Sequence, residues 1–301
     1  MKVAVAASPE VAIPTLDWLL GSAHNLDLII SRPDSAIGRG RELTPTPVSV
    51  WADQHGIEIY KPAKAKDFDD RLTGYDLVIT IGYGLILPQY LLDQPKYGFI
   101  NLHFSLLPQL RGAAPAQRAI IDGLKVTGIT VFKLDAGMDT GPIYLQREYE
   151  IPQGLTAGEL LEELSLLGPE SISETLELIT SGTQPTPQAA EGSSLAAKLS
   201  KDEARINWQD DAQINVNKIH GFAPNPSATT IFRGQSLKIS RARTASQTLP
   251  IGQIQFSDNQ VLVGTGSLAI ELLEVTPGGK RSMAAVAWAN GARLNPGESF
   301  E

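Results

Sequence analysis

Two polar residues stand in phase where an apolar run ends: in "GFINLHF", residues 98–104, Asn101 and His103 are two positions apart. Side chains two apart on a strand share a face, so the amide and the imidazole point the same way. They fall at the strand's carboxyl end, where open α/β sheets hold their ligands. A histidine in such a place also serves simply to satisfy a strand-end carbonyl, and pattern alone does not separate the two readings. A second cluster bears on the choice. "LDAGMDTGP", residues 134–142, sets Asp135 and Asp139 in a glycine-rich loop after another apolar strand. Glycine-flanked aspartates commonly form turns, yet this loop also leaves the sheet, so one carboxylate can fold back onto His103.

An amide, an imidazole and a carboxylate suit acyl transfer to an amine. Asn101 and protonated His103 can donate to the oxygen that turns negative as a carbonyl becomes tetrahedral, and one such donor is worth roughly 3–4 kcal/mol of barrier. An aspartate orients the ring, favours its charged form and helps to move the proton lost by the amine. Because the amine attacks directly, no nucleophilic side chain is needed. Consistently, G-x-S-x-G is absent and the chain has no cysteine. His24 sits in a turn, His55 precedes a glycine at a helix end, and His220 lies in a helical stretch with no evident partner. None shows the close pairing of a zinc motif, and no metal is expected.

The elements that must position these residues alternate strand and helix. "KVAVAA", "LDLIIS", "IEIY", "DLVITIGYG" and "GFINLH" are apolar runs, with helical stretches such as "VAIPTLDWLL" and "PVSVWADQHG" between them. That is a βαβ pattern and predicts a mainly parallel sheet. "VTGITVFKL" and "PIYLQREYEI" read as later strands of the same sheet. Thr156 and Glu159 form a capping box ahead of Leu160, Leu161, Leu164 and Leu167, which recur at helical spacing; Pro169 either interrupts that helix or restarts it. Residues 182–194, "GTQPTPQAAEGSS", read as a linker by composition. Beyond Trp208 come a helix, "AQINVNKIHGF", and closely spaced short strands from "ATTIFR" to "LAIELLEV", which predict a small barrel or sandwich.

The net charge of −8 argues against coating nucleic acid by bulk charge, but the balance is uneven. Residues 1–206 hold 17 basic and 26 acidic side chains, whereas residues 207–301 hold 8 and 7. A polyanionic partner therefore needs local patches, best placed on the second half. No apolar run approaches the roughly 18 residues of a membrane span, and the opening residues read as strand and helix rather than as a signal peptide. With no cysteines, the composition fits a cytoplasmic location.

Longer stretches carry a family resemblance. "DLVITIGYGLILPQYLLDQPKYGFINLHFSLLPQLRGAAPAQRAIIDG" and "TGITVFKLDAGMDTGPIY" resemble the folate-dependent formyltransferases. Asn-x-His-x-Ser-Leu-Leu-Pro with a downstream Asp-x-Gly-x-Asp-Thr-Gly is specific to that family. "SRPDSAIGRGRELTPTPV", "LSKDEARINW" and "PGGKRSM" narrow the likeness to the members acting on methionyl-tRNA, and it spans nearly the whole chain. The resemblance implies an α/β fold: a Rossmann-like catalytic domain over residues 1–184, a linker over 185–206, and a small OB-like β-barrel for tRNA binding over 207–301. The implied reaction moves a formyl group from 10-formyltetrahydrofolate to the α-amino group of methionyl initiator tRNA. The implied partners are that tRNA and the folate, with no membrane, and a monomer is expected.

Residue by residue, Asn101, His103 and Asp139 match the family's catalytic trio, and Ser105, Leu106, Leu107 and Pro108 its folate-contacting turn. "GRGRE" corresponds to the insertion that wedges against the tRNA acceptor end, with Arg39 as principal cation and Arg41 in support. Lys238, Arg241, Arg243, Lys280 and Arg281 are candidates for contact with the tRNA backbone. Three departures stand out: Ala7 and Ser8 where a glycine and a threonine are usual, Phe104 where a glycine is frequent, and Glu42 in place of a basic residue. Two rivals remain. One keeps the chemistry with a small acceptor, glycinamide ribonucleotide or an amino sugar nucleotide; the other is a non-catalytic tRNA-binding protein.

Overall fold

The computed structural model describes residues 1–37 and 42–301, so Arg39 and Arg41 lie outside the described residues. The chain packs as two compact units. One comprises residues 1–113, 126–150 and 161–196; the other comprises 114–125, 151–160 and 197–301.

The first unit is built on one sheet of seven strands: β1 (Lys2–Ala7), β2 (Asn25–Ile30), β3 (Glu58–Tyr60), β4 (Leu77–Ile81), β5 (Phe99–His103), β6 (Val126–Lys133) and β7 (Ile143–Glu150). Their order is β3-β2-β1-β4-β5-β6-β7. Strands β1 to β5 run parallel, while β6 is antiparallel to both β5 and β7. For β6 and β7 the reason lies in the connection. Parallel neighbours need a crossover of a dozen or more residues, and helices such as Ile13–Leu20 and Pro47–Gln54 supply it. Residues 134–142 are too few for one, so the chain doubles back there.

Parallel strands covered on both faces read as unbroken apolar runs, and every residue of β4, "LVITI", is buried. The outermost strand β7, "IYLQREYE", instead alternates toward solvent. Between the two long helices the chain breaks at Leu167, and the helix Gly168–Thr180 restarts with Pro169 in its first turn. A missing N–H costs no bond at that position. Gly168 lets this helix pack closely, because a Cβ there would come within 2.5 Å of Thr15 Oγ1.

The linker-like segment is held along the first unit. Ile143 and Thr186 exchange backbone hydrogen bonds of 2.7 and 2.8 Å, and Leu195–Ala196 pairs in parallel with Arg111–Gly112.

The second unit carries β8 (Ala228–Phe232), β9 (Gln235–Thr244), β10 (Ile254–Ser257), β11 (Gln260–Val263), β12 (Ile270–Pro277) and β13 (Met283–Ala284). They form an antiparallel sheet ordered β8-β9-β12-β11-β10, with β13 against β12. This is the small barrel-type domain that the short strands predict. Register shifts between Ile239 and Ala242 mark bulges in β9, which bend a strand as small barrels require. The core holds Trp208, Phe222, Phe232, Trp288 and Phe300. Trp208 stacks on Phe300 at 5.2 Å between ring centroids. Asp211 caps the helix Ala212–Phe222 by accepting the Gln213 N–H, and the Thr156–Glu159 capping box forms in both directions. His220, which showed no partner in the sequence, is buried and accepts the Ala242 N–H through Nε2 at 3.4 Å. No helix among the described residues is long and apolar enough to cross a membrane.

Candidate active site

The carboxyl end of β5 presents Asn101 half-buried and His103 buried. In the parallel register Thr80 of β4 lies beside Asn101. The Thr80 hydroxyl donates to Asn101 Oδ1 at 2.7 Å. With its oxygen engaged, the Asn101 amide keeps its Nδ2 hydrogens for a ligand.

His103 is held by a group that motif reading does not reach. Its Nε2 lies 3.0 Å from the Leu110 carbonyl, which can only accept, so Nε2 carries a proton. Leu110 is buried with φ +58°, a left-handed conformation that costs a residue with a Cβ about 1–2 kcal/mol. Strained backbone of this kind concentrates at functional sites, and here it turns a carbonyl onto the imidazole. Phe132 meets the ring edge-on at 6.4 Å.

The remaining nitrogen, Nδ1, lies 3.8 Å from Asp139 Oδ2. That is too long for a hydrogen bond and short enough for a strong charge interaction. Burial pushes the His103 pKa below its ordinary value, opposed by the Asp139 carboxylate and by the bond to Leu110. Burial thus favours the neutral imidazole, so in place of the charged donor expected from sequence the ring offers the lone pair of Nδ1, on the side of the acid. The sequence reading gave the ring's orientation to an aspartate; in the structure the Leu110 carbonyl sets it, and the aspartate acts across a gap.

The two aspartates divide their roles. Asp135 Oδ1 accepts the Gly137 N–H at 3.0 Å and the Thr140 hydroxyl at 2.7 Å, so it forms the turn. Asp139 Oδ2 accepts the Gly112 N–H at 2.8 Å and faces His103. The loop depends on Gly141, where a Cβ would lie 1.8 Å from the Lys133 carbonyl oxygen.

In the turn after β5, the Ser105 hydroxyl donates to the Gln109 carbonyl at 2.7 Å, closing the turn upon itself. Thr130 Oγ1 donates to the Ser105 carbonyl and accepts the Leu107 N–H, and Gln146 Nε2 donates to the Leu107 carbonyl at 2.8 Å. Leu107 and Phe104 are buried, whereas Leu106 and Pro108 are partly exposed. Ser8, one of the departures in the first turn, accepts the Arg32 N–H and ties the ends of β1 and β2 together.

On the second unit the candidate cations differ in kind. Lys238, Lys280 and Arg281 are exposed and have no ion-pair partner among the described residues. Arg241 pairs with Glu159 and approaches Glu274 at 4.0 Å; Arg243 bonds Glu271 at 2.7 Å. A cavity of about 110 Å³ in this unit is lined by His220, Asn217 and Arg243 among others, and by none of Asn101, His103 or Asp139. Among the described residues no three His, Asp or Glu are grouped to hold a metal ion.

A mainly parallel sheet that gathers an amide, an imidazole and an acid at its carboxyl end is the framework of a group-transfer enzyme. The family model described as formyl transferase matches residues 1–176, and that of the formyl transferase C-terminal domain matches 198–293. The chain belongs to the formyl transferase family. Among its relatives is the methionyl-tRNA formyltransferase of Thermobifida fusca, 42% identical over 307 residues, covering 100% of this chain and 99% of the relative. That of Streptomyces coelicolor is 41% identical over 306 residues and covers 99% of each.

Solved structures share the fold at lower identity. The N-formyltransferase of Helicobacter canadensis, in complex with folinic acid and dTDP-3-aminofucose, superimposes with a TM-score of 0.68 at 17% identity over 90% of this chain and 98% of that one. HypX of Aquifex aeolicus, in complex with tetrahydrofolic acid, gives 0.69 at 16% identity over 99% of this chain. The chain spans 48% of the length of HypX.

Proposed function

We infer that the protein transfers a formyl group from 10-formyltetrahydrofolate to the α-amino group of methionine esterified to initiator tRNA. The observation that carries this reading is the extent of the likeness to methionyl-tRNA formyltransferases, at 42% identity over the entire chain, both units included. The geometry at the end of β5 supplies a matching chemistry. The uncharged amine attacks the formyl carbon, and Asn101 Nδ2 donates to the carbonyl oxygen as it becomes negative. The amine's proton passes to His103 Nδ1, and the Asp139 carboxylate stabilises the imidazolium across the 3.8 Å gap. The bond from the formyl carbon to N10 of the folate then breaks, and the imidazolium returns the proton to N10. The product amide is neither basic nor charged.

On this reading the folate lies along Ser105, Leu106, Leu107 and Pro108. Leu106, Pro108 and backbone groups make contact, since the Ser105 hydroxyl is engaged within the turn. Lys238, Lys280 and Arg281 meet tRNA phosphates, with Arg39 and Arg41 at the acceptor end. Arg241 and Arg243 contribute less, because each is already paired with a glutamate. The enzyme works in the cytoplasm as a monomer.

The test is an assay of the purified protein with 10-formyltetrahydrofolate and methionylated initiator tRNA. Glycinamide ribonucleotide and an amino sugar nucleotide serve as competing acceptors. Formylmethionyl-tRNA as the dominant product is the expected result; formylation of either small amine in preference to the tRNA overturns the assignment.

A further inference from the structure

We infer that Gln188, in the segment that reads as a linker, is a positioning residue for Asp139: its amide clamps the backbone of the acidic loop and so holds the carboxylate against His103. The inference rests on the catalytic reading above.

Asp139 needs holding. Its φ is +55°, in the left-handed region that a residue with a Cβ enters only at a cost. Gln188 Nε2 donates to the Asp139 carbonyl at 2.8 Å and to the Gly141 carbonyl at 2.8 Å, on either side of Thr140. Gln188 Oε1 accepts from Arg111 Nε at 3.1 Å and from Arg111 Nη2 at 2.6 Å. A primary amide has two hydrogens to donate and two lone pairs to fill, and all four are used. Carbonyls only accept and guanidinium only donates, so the amide cannot be turned over without losing every bond.

The clamp closes a ring around the acid. Arg111, which fixes the Gln188 oxygen, precedes Gly112, whose N–H binds Asp139 Oδ2 at 2.8 Å. The Asp139 carboxylate is thus held from Gly112, and its backbone is held through Gln188 from the adjacent Arg111. Gln188 is itself anchored on both sides, at Thr186 by Ile143 and at Leu195–Ala196 by Arg111–Gly112. Catalytic geometry tolerates little error, and a displacement of about 1 Å can cost about a hundredfold in rate.

Two variants test this. Gln188→Glu keeps the shape and the Arg111 contact but sets an oxygen against the two loop carbonyls; Gln188→Leu removes all four bonds. Both are assayed in the steady state with 10-formyltetrahydrofolate and methionylated initiator tRNA, and folding is followed by thermal unfolding. The expected result is a fall in kcat of between about tenfold and about a hundredfold, with KM for both substrates within about twofold and cooperative unfolding retained. Because Gln188 acts through Asp139, Gln188→Leu should cause no further loss in an Asp139→Ala background. The inference is overturned if Asp139→Ala disables the enzyme while both Gln188 variants keep kcat within about twofold. It is equally overturned if the loss falls in KM, or if Gln188→Leu costs the same factor with and without Asp139. Near-normal turnover of Asp139→Ala would overturn the catalytic reading itself, and the clamp with it.

Discussion

Asp139→Asn isolates the charge that faces the imidazole. The replacement amide has the shape of the carboxylate, and its oxygen can still accept the Gly112 N–H that Oδ2 accepts at 2.8 Å, so the loop stays in place. What disappears is a full negative charge 3.8 Å from Nδ1. Two unit charges at that separation, in the effective dielectric of about 20 that suits such sites, attract by about 4 kcal/mol. That attraction exists only once the imidazole has taken the proton, so it stabilises the transition state and not the resting enzyme. Its loss is worth about a thousandfold in turnover. The imidazole pKa, already lowered by burial, falls further without the carboxylate that opposes the shift, which weakens Nδ1 as a base in the same direction. Steady-state formylation of methionyl-tRNA gives kcat and KM, folate titration gives binding, and both should be compared with the parent at pH 7. A fall in kcat of less than about tenfold, or a defect confined to KM, refutes this assignment of Asp139.

Three further outcomes are expected. Thr80→Val removes the hydroxyl that occupies Asn101 Oδ1 at 2.7 Å; with a net hydrogen bond worth about 1 kcal/mol, kcat should fall about fivefold and Thr80→Ser should restore it. His103 and His220 are both held below the ordinary value of 6.5 by burial, so the unfolded chain binds more protons than the native one. Their contribution to stability is complete above that value and is lost as the pH falls toward their lowered values, each at up to about 1.4 kcal/mol per pH unit. Denaturant unfolding between pH 5 and 8 should show this slope, and His220→Asn should flatten part of it. Finally, joint replacement of Lys280 and Arg281 by alanine should make the salt dependence of tRNA binding shallower, by about one logarithmic unit of slope per lost phosphate contact. Arg241→Ala should leave that slope nearly unchanged, because Glu159 already neutralises the guanidinium; a filter-binding salt titration distinguishes the two.

Several features of this protein are determined by sequence within a few residues, and those are legible from the chain alone. Side-chain alternation puts Asn101 and His103 on one face of β5, the Thr156–Glu159 spacing starts a helix, and short apolar runs mark each strand of the first sheet. Even the antiparallel turn from β6 to β7 was readable in principle, from a connection too short to cross over. The threonine within the apolar run "LVITI" was also a visible signal for the partner of Asn101. The rest was decided only when the chain closed on itself. Which of two aspartates faces the ring depends on a bond from Gly112 to Asp139 across 27 residues, and the clamp from Gln188 spans 49. The carbonyl of Leu110 reaches His103 through a left-handed backbone that an aliphatic side chain gives no reason to expect. Periodicity and capping record interactions between near neighbours, whereas backbone groups carry no residue-specific signature and distant partners meet only through the packing of the whole sheet.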